Sequence, residues 1–261
     1  ATAPGVNYAA TKSRFKDIPE AISGLHAWFK ADAITGLADG AAVASWTDST
    51  SNAYTAVQAT PAQKPTYKTS IINGMPVVRF SGAASQYLDL GTVLGKPASY
   101  TLFAVMQTSD GVTRQWALGS MDVTASSAKS WGIVDLNSTA PGNLAQGWNS
   151  DGTNAGWVRT TAAVTSANTP FITDSVYLSG AAGAVPYFNG TAPAYGVSGG
   201  GSTTNSGTAY SFSMGRSGAY NGNYFTGDIA EVIIYNTNLS TSDRQQVEYY
   251  LSRKYGIALP Y

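Results

Sequence analysis

Residues 227–256, GDIAEVIIYNTNLSTSDRQQVEYYLSRKYG, predict one long strand, a short turn and one amphipathic helix. The run 229–235 is rich in β-branched and aromatic residues, which favour a half-buried strand. Ser240 is the candidate helix N-cap, with Asp243 three residues later at the capping-box position. Gly256 fits a left-handed C-cap. No other stretch of the sequence predicts a helix so clearly, so the chain is expected to be all-β with one C-terminal helix.

The predicted helix has one apolar face and a basic C-terminal end. Its apolar residues recur at helical spacing: Val247, Tyr250, Leu251 and Tyr255. Arg253 and Lys254 lie in the last turn, where the helix dipole favours cations. Such a helix is expected to pack on one face of a sheet.

Composition excludes several classes of protein. Lys and Arg together number 15, as do Asp and Glu, so the formal net charge is zero and no basic run is present. Nucleic-acid binding normally depends on clustered basic residues, so it is not expected. Cysteine is absent, which excludes disulfides and thiolate metal sites. No apolar run approaches the 18 or so residues of a membrane span.

The surface chemistry favours an exported protein. Charged residues make up only 11% of the chain, whereas about 25% is usual. The sequence begins at Ala1 without Met, which is consistent with a processed export signal or with a trimmed chain. We expect an extracellular or cell-surface location, with a virion surface as the alternative.

Short strands with turn signals between them recur through the chain. The predicted strands are 25–31, 53–59, 76–80, 100–107, 115–119, 131–136, 169–178, 184–188 and 209–215. The nearly continuous apolar run 100–107 predicts a central strand, and polar Gly/Asn/Ser loops are predicted at 141–156 and 196–207. This spacing is typical of an antiparallel two-sheet sandwich or jelly roll. We predict an extended N-terminal arm over 1–22 and one domain over 23–261.

Four blocks of sequence resemble a known family. The blocks are Leu25-x-x-Trp28-x-x-Ala31-Asp32, then Trp46-x-Asp48-Ser49 with Asn52, Gln58 and Pro65-x-Tyr67, then Asn73-Gly74-x-Pro76-Val77-Val78-Arg79-Phe80-x-Gly82 with Tyr87-Leu88, and finally Gly227-Asp228-Ile229-Ala230-Glu231-Val232 with Tyr249-x-x-x-Arg253-Lys254-Tyr255-Gly256. In this order they resemble bacterial laminin-G-like domains of the concanavalin A-like lectin/glucanase jelly-roll superfamily.

The resemblance implies two curved antiparallel sheets, with the first and last long strands adjacent. Members of the family occur as lectin-like binding modules, as appended domains of secreted enzymes, and as parts of adhesins and phage structural proteins. A structural calcium ion is common in the superfamily and Asp48, Asn52 and Asp151 are candidate oxygen ligands, although no Asp-x-Asp-x-Asp cluster is present. The turn 49–52 lacks the two glycines usual in the family, which argues against a metal site built on it.

Residues suited to catalysis are few. Only three glutamates are present, and Glu231 has no carboxylate at i+2 or i+4 to complete the pair that a glycosidase needs. We expect Glu231 to pair with a base such as Arg79 or to cap a sheet edge. His26 is the only histidine and is predicted to pack in the core or on a sheet face, on the same face as Trp28. The chain is therefore predicted not to be an enzyme; a polysaccharide lyase or hydrolase using His26, Glu231 and tyrosines is the second alternative.

The first candidate binding segment is 146–157, in which two tryptophans flank a polar, glycine-rich turn. Trp148 and Trp157 could form a platform for a sugar ring, with Asn149, Asp151 and Asn154 beside it. The alternative is that both rings cover the sandwich core at the base of the loop.

The second candidate segment is 216–224, before the closing strand. Tyr220, Asn221 and Tyr224 could line a groove, and the alternative is a plain surface loop. The remaining tryptophans are predicted to be core residues: Trp28, Trp46, Trp116 and Trp131.

The function predicted from these features is non-catalytic carbohydrate binding, with a polysaccharide or glycan as the partner and no required cofactor. The main alternative is a structural domain of a virion (a decoration or tail protein) or of an adhesin. The arm 1–22 favours that alternative, since it could dock onto a larger assembly or join a homo-oligomer.

Overall fold

A computed structural model describes most of the chain. The described residues are 18–121, 130–137, 140–150, 155–178, 184–198, 210–219 and 221–261.

The described residues form sixteen strands and two α-helices. The strands are β1 (Leu25–Lys30), β2 (Ser45–Thr47), β3 (Thr55–Val57), β4 (Thr66–Ile72), β5 (Met75–Phe80), β6 (Leu88–Asp89), β7 (Tyr100–Thr108), β8 (Gln115–Ser120), β9 (Trp131–Leu136), β10 (Leu144–Ser150), β11 (Ala155–Thr160), β12 (Phe171–Tyr177), β13 (Val185–Phe188), β14 (Tyr195–Ser198), β15 (Phe212–Met214) and β16 (Gly227–Tyr235). The helices are α1 (Ile18–Ala21) and α2 (Thr241–Tyr255).

The closing strand β16 lies in the middle of a seven-stranded antiparallel sheet. The strand order is β13-β12-β7-β16-β5-β4, and β1 also pairs with β16. On one side β16 pairs with β7 along its length, and on the other it pairs first with β5 and then with β1. The predicted central position of 100–107 and the implied adjacency of the first and last long strands are therefore confirmed.

The second sheet has nine strands in the order β14-β11-β10-β9-β8-β15-β6-β3-β2. Every pairing between its strands is antiparallel. Two antiparallel sheets with one C-terminal helix confirm the predicted all-β jelly-roll sandwich.

Two apolar clusters hold the two sheets and α2 together. The larger lies between the sheets and contains Phe29, Phe80, Leu102, Leu118 and Trp131. The smaller lies between the seven-stranded sheet and α2, and it is built from Trp28, Phe103, Ile233, Tyr250 and Leu251, among others. Because β16 has apolar neighbours on both faces, all nine of its residues are buried.

Helix α2 begins and ends where its caps predict. The Ser240 side chain accepts a hydrogen bond from the Asp243 backbone N–H at 3.1 Å. Gly256 has φ of 68°, and its N–H donates to the Ser252 carbonyl at 2.8 Å. Both α-helices pack against the seven-stranded sheet, so neither of the described α-helices covers the outer face of the nine-stranded sheet.

The predicted loop 141–156 is wrong in part, because β10 and the start of β11 lie within it. The strands β4 and β14 were not predicted either. These segments are polar or rich in glycine, and their β structure comes from pairing with neighbouring strands rather than from apolar alternation.

The last five residues of the predicted arm 1–22 contact the domain. Residues Ile18–Ala21 form one helical turn, and Ile22 belongs to the cluster under α2. The Tyr235 hydroxyl donates to the Pro19 carbonyl at 2.9 Å. Residues 18–22 thus pack on their own domain, while residues 1–17 lie outside the described residues.

Candidate functional site

The first predicted binding segment is a hairpin of the nine-stranded sheet. Trp148 and Asn149 lie in β10 and Trp157 in β11, where Asn149 pairs with Gly156 across an irregular register. Trp157 also pairs with Ser198 of β14. The two other predicted residues of this segment, Asp151 and Asn154, lie outside the described residues.

The second predicted segment lies in the same sheet layer. Tyr224 forms a parallel bridge with Trp116 of β8, and the Trp116 backbone N–H donates to the Asn223 carbonyl at 2.7 Å. The Tyr224 hydroxyl donates to the Asn221 side-chain oxygen. Tyr220 lies outside the described residues. The segment is therefore more than a plain surface loop, since it continues the sheet beside β8.

A group of aromatic and charged side chains surrounds Tyr224. The rings of Tyr87 and Tyr224 are 6.3 Å apart at an interplanar angle of 38°. The Arg216 guanidinium lies 3.5 Å from the centre of the Tyr87 ring and 3.5 Å from the Asp89 carboxylate. Both tyrosines are half-buried, whereas Arg216 is only 9% exposed. We call Tyr87, Asp89, Arg216, Asn221 and Tyr224 the tyrosine cluster.

Backbone contacts hold Arg216 in this position. The Gly218 N–H donates to the Gly119 carbonyl at 2.8 Å, and the Ala219 N–H donates to the Met121 carbonyl at 2.9 Å. A Cβ atom on Gly218 would lie 2.2 Å from backbone atoms of Met121, and its φ is +52°. Only glycine allows the loop to approach the sheet this closely, so the cluster depends on that residue.

A buried ion pair lies next to the tyrosine cluster on the outer face of the nine-stranded sheet. The Arg114 guanidinium binds the Asp135 carboxylate with contacts of 3.0 and 2.6 Å. Val134 and Leu136 on either side of Asp135 belong to the core, so alternation places Asp135 on the outer face. The Arg114 side chain is 37% exposed and that of Asp135 is 1% exposed. The Asp135 carboxylate thus fixes the Arg114 side chain, which is partly exposed on the outer face.

The strand register connects this ion pair to the predicted hairpin. Asp135 pairs with Trp116 on one side and with Ala145 on the other, and Ala145 pairs with Arg159 of β11. Burial lowers the pKa of Arg159, the Asp135 charge raises it and the Arg114 charge lowers it further. The register therefore places Arg159 on the same outer face as Asp135, and β10 and β11 of the predicted hairpin belong to the same sheet as β8.

The prediction that Trp116 is a core residue is correct only in part. It is buried, as expected, but it lies opposite Asp135 and outside both apolar clusters, with the Arg114 guanidinium 5.2 Å from its ring. Trp28, Trp46 and Trp131 are core residues as predicted.

The sequence did not single out Tyr87, Asp89, Arg114 or Asp135 as site residues. Tyr87 was noted only within a block of the family resemblance. These residues come from separate strands, and only the pairing of β6, β15, β8 and β9 brings them together. No local motif could have identified them.

Glu231, the one candidate catalytic glutamate, is held in a buried network. Its carboxylate accepts hydrogen bonds from Trp28 at 2.5 Å, Tyr250 at 3.0 Å and Tyr255 at 2.7 Å, and it pairs with Lys254 at 2.8 Å. Burial, followed by the charge of Glu231, raises the pKa values of both tyrosines, so both hydroxyls stay protonated donors.

Glu231 pairs with a base, as expected, but the base is Lys254 and not Arg79. Arg79 instead forms two hydrogen bonds with Asp228, at 2.7 and 2.9 Å. The reason is the register of β5 and β16, which places Arg79 opposite Asp228. Glu231 lies further along β16, beyond its pairing with β5, where β1 is the neighbouring strand.

His26 does not share a face with Trp28, which is also a correction. A register shift between Leu25 and Ala27 interrupts the alternation of β1. The imidazole lies against Tyr54, with 5.5 Å between ring centres, and its Nε2 donates to the Leu94 carbonyl at 3.2 Å. His26 therefore lies at the edge of the core between the sheets.

The candidate calcium ligands have other partners or lie outside the described residues. Both carboxylate oxygens of Asp48 accept backbone hydrogen bonds, from Thr50 at 2.6 Å and Tyr54 at 2.5 Å. The Asn52 side chain donates to the His26 carbonyl at 3.0 Å. Within the described ranges, no group of three or more His, Cys, Asp or Glu residues could hold a metal. Asp151 lies outside those ranges, so structural calcium stays a prediction.

Solved structures with the same architecture are found despite low sequence identity. Domain 4 of AbnA, a GH43 extracellular arabinanase from Geobacillus stearothermophilus in complex with arabinotriose, matches with a TM-score of 0.58 and 17% identity, over 87% of this chain and 97% of that domain. The binding domain of botulinum neurotoxin serotype C1 matches with a TM-score of 0.56 and 10% identity, over 90% of this chain and 53% of that one.

A third structure, Trypanosoma rangeli sialidase in complex with sialic acid, matches with a TM-score of 0.50 and 12% identity, over 94% of this chain and 38% of that one. The chain thus spans almost all of the arabinanase domain but about half of the toxin domain and less than half of the sialidase. These likenesses show the fold. No family model and no curated protein matches the sequence, so membership of the laminin-G-like family stays a prediction.

In the part of the chain that the structure describes, no helix has both the length and the apolar character needed to cross a bilayer.

Proposed function

We propose that this chain is a non-catalytic carbohydrate-binding module that holds its ligand on the outer face of the nine-stranded sheet. The observation that carries the proposal is the tyrosine cluster. Two half-buried tyrosine rings lie there beside a guanidinium, an amide and a carboxylate, on a face that neither described α-helix covers.

This combination of groups suits a saccharide. Aromatic rings pack on the C–H faces of sugar rings, while amide, carboxylate and guanidinium groups bind hydroxyls in fixed directions. The Arg216 contacts with Tyr87 and Asp89 restrict the ring and the carboxylate before a ligand arrives, which reduces the entropy lost on binding.

The predicted hairpin would extend this surface. Arg114 and Arg159 continue the face toward β11, and Trp157 lies two residues before Arg159 in that strand. We include the residues of both predicted segments in the proposed site: Trp148, Asn149, Asp151, Asn154, Trp157, Tyr220, Asn221 and Tyr224.

The similar structures support the ligand class. The arabinanase domain is in complex with arabinotriose, and the trypanosomal sialidase is in complex with sialic acid. A glycan ligand also agrees with an extracellular or cell-surface location, or with the surface of a virion. The zero net charge argues against nucleic acid as a partner.

The burial and the positions of the three glutamates support the proposal that the module is non-catalytic. Glu231 and Glu248 are both fully buried between α2 and the seven-stranded sheet, where Glu231 of β16 is paired with Lys254 and Glu248 of α2 with Arg244. Glu20 is the remaining one and lies in α1, on the seven-stranded sheet's side of the molecule. No two of them face a common cleft where an acid and a nucleophile could flank a glycosidic bond.

The test is affinity electrophoresis and calorimetry with a panel of neutral and acidic polysaccharides. We expect Tyr224→Ala to weaken binding of a retained ligand about ten-fold, or roughly 1.4 kcal/mol. Tyr249→Ala is the matched control, because Tyr249 is a 40% exposed tyrosine on α2, against the other sheet. The pair Trp148→Ala and Trp157→Ala tests the hairpin. Failure of every polysaccharide to retain the protein, or equal retention of the Tyr224 and Tyr249 variants, contradicts the proposal.

A further inference from the structure

The chain contains three asparagine–glycine dipeptides, at Asn73-Gly74, Asn189-Gly190 and Asn221-Gly222. Such a dipeptide can react with itself, because glycine has no Cβ to shield its backbone nitrogen from the preceding side-chain amide. The structure places the three dipeptides in different surroundings. These surroundings indicate which of the three can react.

The reaction is an intramolecular deamidation. The glycine nitrogen attacks Cγ of the asparagine and loses its proton, the bond between Cγ and Nδ2 breaks, and the departing nitrogen takes up that proton as ammonia. The product is a five-membered succinimide ring, which water opens at either carbonyl to give aspartate or isoaspartate. The reaction is fast only where the side-chain amide and the next backbone nitrogen can approach each other.

The Asn73 side chain is held against the end of α2. Its Nδ2 donates to the Lys254 carbonyl at 3.0 Å. Asn73 and Gly74 have φ of 49° and 76°, as expected for the central residues of a type I′ turn. This turn joins the paired ends of β4 and β5. Attack on Asn73 would therefore have to break the bond to Lys254 and distort the hairpin.

The Asn189 side chain is held by β12. Its Oδ1 accepts from the Ile172 N–H at 2.8 Å, and its own N–H donates to the Ile172 carbonyl at 2.9 Å. Asn189 and Gly190 also have positive φ, of 47° and 78°. A Cβ on Gly190 would lie 2.9 Å from the Tyr261 ring, so this turn is covered as well. The two anchored turns are poorly placed to react.

The Asn221 side chain is held less firmly. In the described part of the chain it has one hydrogen bond, in which its Oδ1 accepts from the Tyr224 hydroxyl. Its Nδ2, which is the leaving group, and the Gly222 N–H, which is the nucleophile, have no partner among the described residues. Asn221 is exposed, and neither residue belongs to a strand.

The one hydrogen bond of Asn221 favours the reaction. Attack on Cγ places negative charge on Oδ1, and a hydroxyl that already donates to this oxygen stabilises that charge. The bond from Tyr224 leaves Nδ2 able to depart. The bonds at Asn73 and Asn189 instead hold the reacting groups in ground-state positions.

We propose that Asn221 is a deamidation site and that the Tyr224 hydroxyl promotes its reaction. The product would carry a carboxylate in place of an amide within the tyrosine cluster. The Trp116 N–H fixes the Asn223 carbonyl at 2.7 Å, so the longer backbone of isoaspartate would have to be accommodated at 221–222. The expected effect on a ligand rests on the proposed carbohydrate binding, whereas the reaction itself does not.

The test is mass spectrometry of the whole chain during incubation at 37 °C and pH 8, with peptide mapping of the products. Each deamidation adds about one dalton. We expect Asn221 to react about five-fold faster than Asn73 or Asn189, which corresponds to about 1 kcal/mol in activation free energy. Asn221→Gln should abolish the fast reaction and Tyr224→Phe should slow it, while Asn73→Gln should leave it unchanged. Equal or faster reaction at Asn73 or Asn189 overturns the assignment, and an undiminished rate in Tyr224→Phe overturns the role of the hydroxyl.

The effect on binding is measured separately with Asn221→Asp, which carries the charge of one product. We expect it to bind a retained neutral oligosaccharide about three-fold more weakly than the parent, because a carboxylate costs more to desolvate than an amide. Equal binding would overturn this effect and leave the deamidation site standing. Failure of every saccharide to bind would contradict the proposed function without changing the mass-spectrometric result.

Discussion

The ammonium group of Lys254 lies 2.8 Å from a carboxylate oxygen of the fully buried Glu231. This contact joins the last turn of α2 to the middle of β16. The same ammonium group lies 2.9 Å from Asp32, just after β1. The cation thus joins the consecutive elements β16 and α2 to Asp32, which is distant in sequence. The closing strand and helix act as a scaffold rather than as a site.

Replacement of Lys254 should be costly. We expect Lys254→Met to lower the free energy of unfolding by about 3 kcal/mol, because it leaves Glu231 buried without its cation. The loss should stay at the lower end of the range for buried pairs, since Trp28 and two tyrosines still donate to the carboxylate. Urea unfolding at pH 7 measures it. Arg253→Met, at the exposed neighbouring position, should change stability by less than about 0.5 kcal/mol. Equal effects of the two substitutions would show that the pair contributes nothing.

Asp174 should make the protein less stable as pH rises. Burial, followed by the charge of Glu248, raises the pKa of this carboxyl well above its ordinary value of 3.8, although Arg244 opposes the shift. When the pKa of a carboxyl is higher in the folded state than in the unfolded state, the protonated group contributes stability below the unfolded-state pKa. This contribution is lost as pH rises through the folded-state pKa. In urea unfolding between pH 4 and 8, Asp174→Asn should therefore gain stability relative to the parent as pH increases.

Asp39 provides the control of opposite sign. Its exposed carboxylate bonds to Lys68, and this bond and that to Thr69 lower its pKa. Its contribution to stability is present above the unfolded-state pKa and is lost as pH falls through the folded-state pKa. Asp39→Asn should thus lose stability relative to the parent as pH rises. A slope of the same sign for both variants would contradict the assignment of Asp174.

Gly218 should tolerate no side chain. We expect Gly218→Ala to lower the free energy of unfolding by more than about 2 kcal/mol and to weaken ligand binding at the tyrosine cluster, since its Cβ would meet the Met121 backbone at 2.2 Å. Gly36→Ala is the matched control, because Gly36 also has a positive φ but has no atom within 4 Å of the position that a Cβ would take. It should cost only about 1 kcal/mol and leave binding intact. Thermal unfolding and calorimetry on both variants test this difference, and equal costs would mean that the loop can move away.

The N-cap of α2 should contribute a measurable amount. Ser240→Ala removes the acceptor for the Asp243 N–H and is expected to cost about 1 kcal/mol. Ser242→Ala changes an exposed serine two residues later and should be near neutral. Chemical denaturation compares them. If the two serines are equivalent, Ser240 is not the effective cap.

The sequence by itself determined the features that depend on interactions within a few residues. The caps Ser240 and Gly256, the apolar face of α2, and the apolar runs of β7 and β16 all follow from side-chain spacing and backbone preference within a few residues. The closing strand and helix were therefore predictable, and with them the sandwich. The sequence also directed attention to Asn221 and Tyr224 in the loop before β16.

Tertiary structure decided what those elements contact. The register of β16 against β5 and β1 gave Glu231 the cation of Lys254 and left Arg79 to Asp228. A bulge moved His26 away from Trp28, which no alternation rule could anticipate. The side chains of the tyrosine cluster come from strands and loops far apart in the chain. Their partners are set by register and packing across the sheets, which depend on contacts that no stretch of sequence contains by itself.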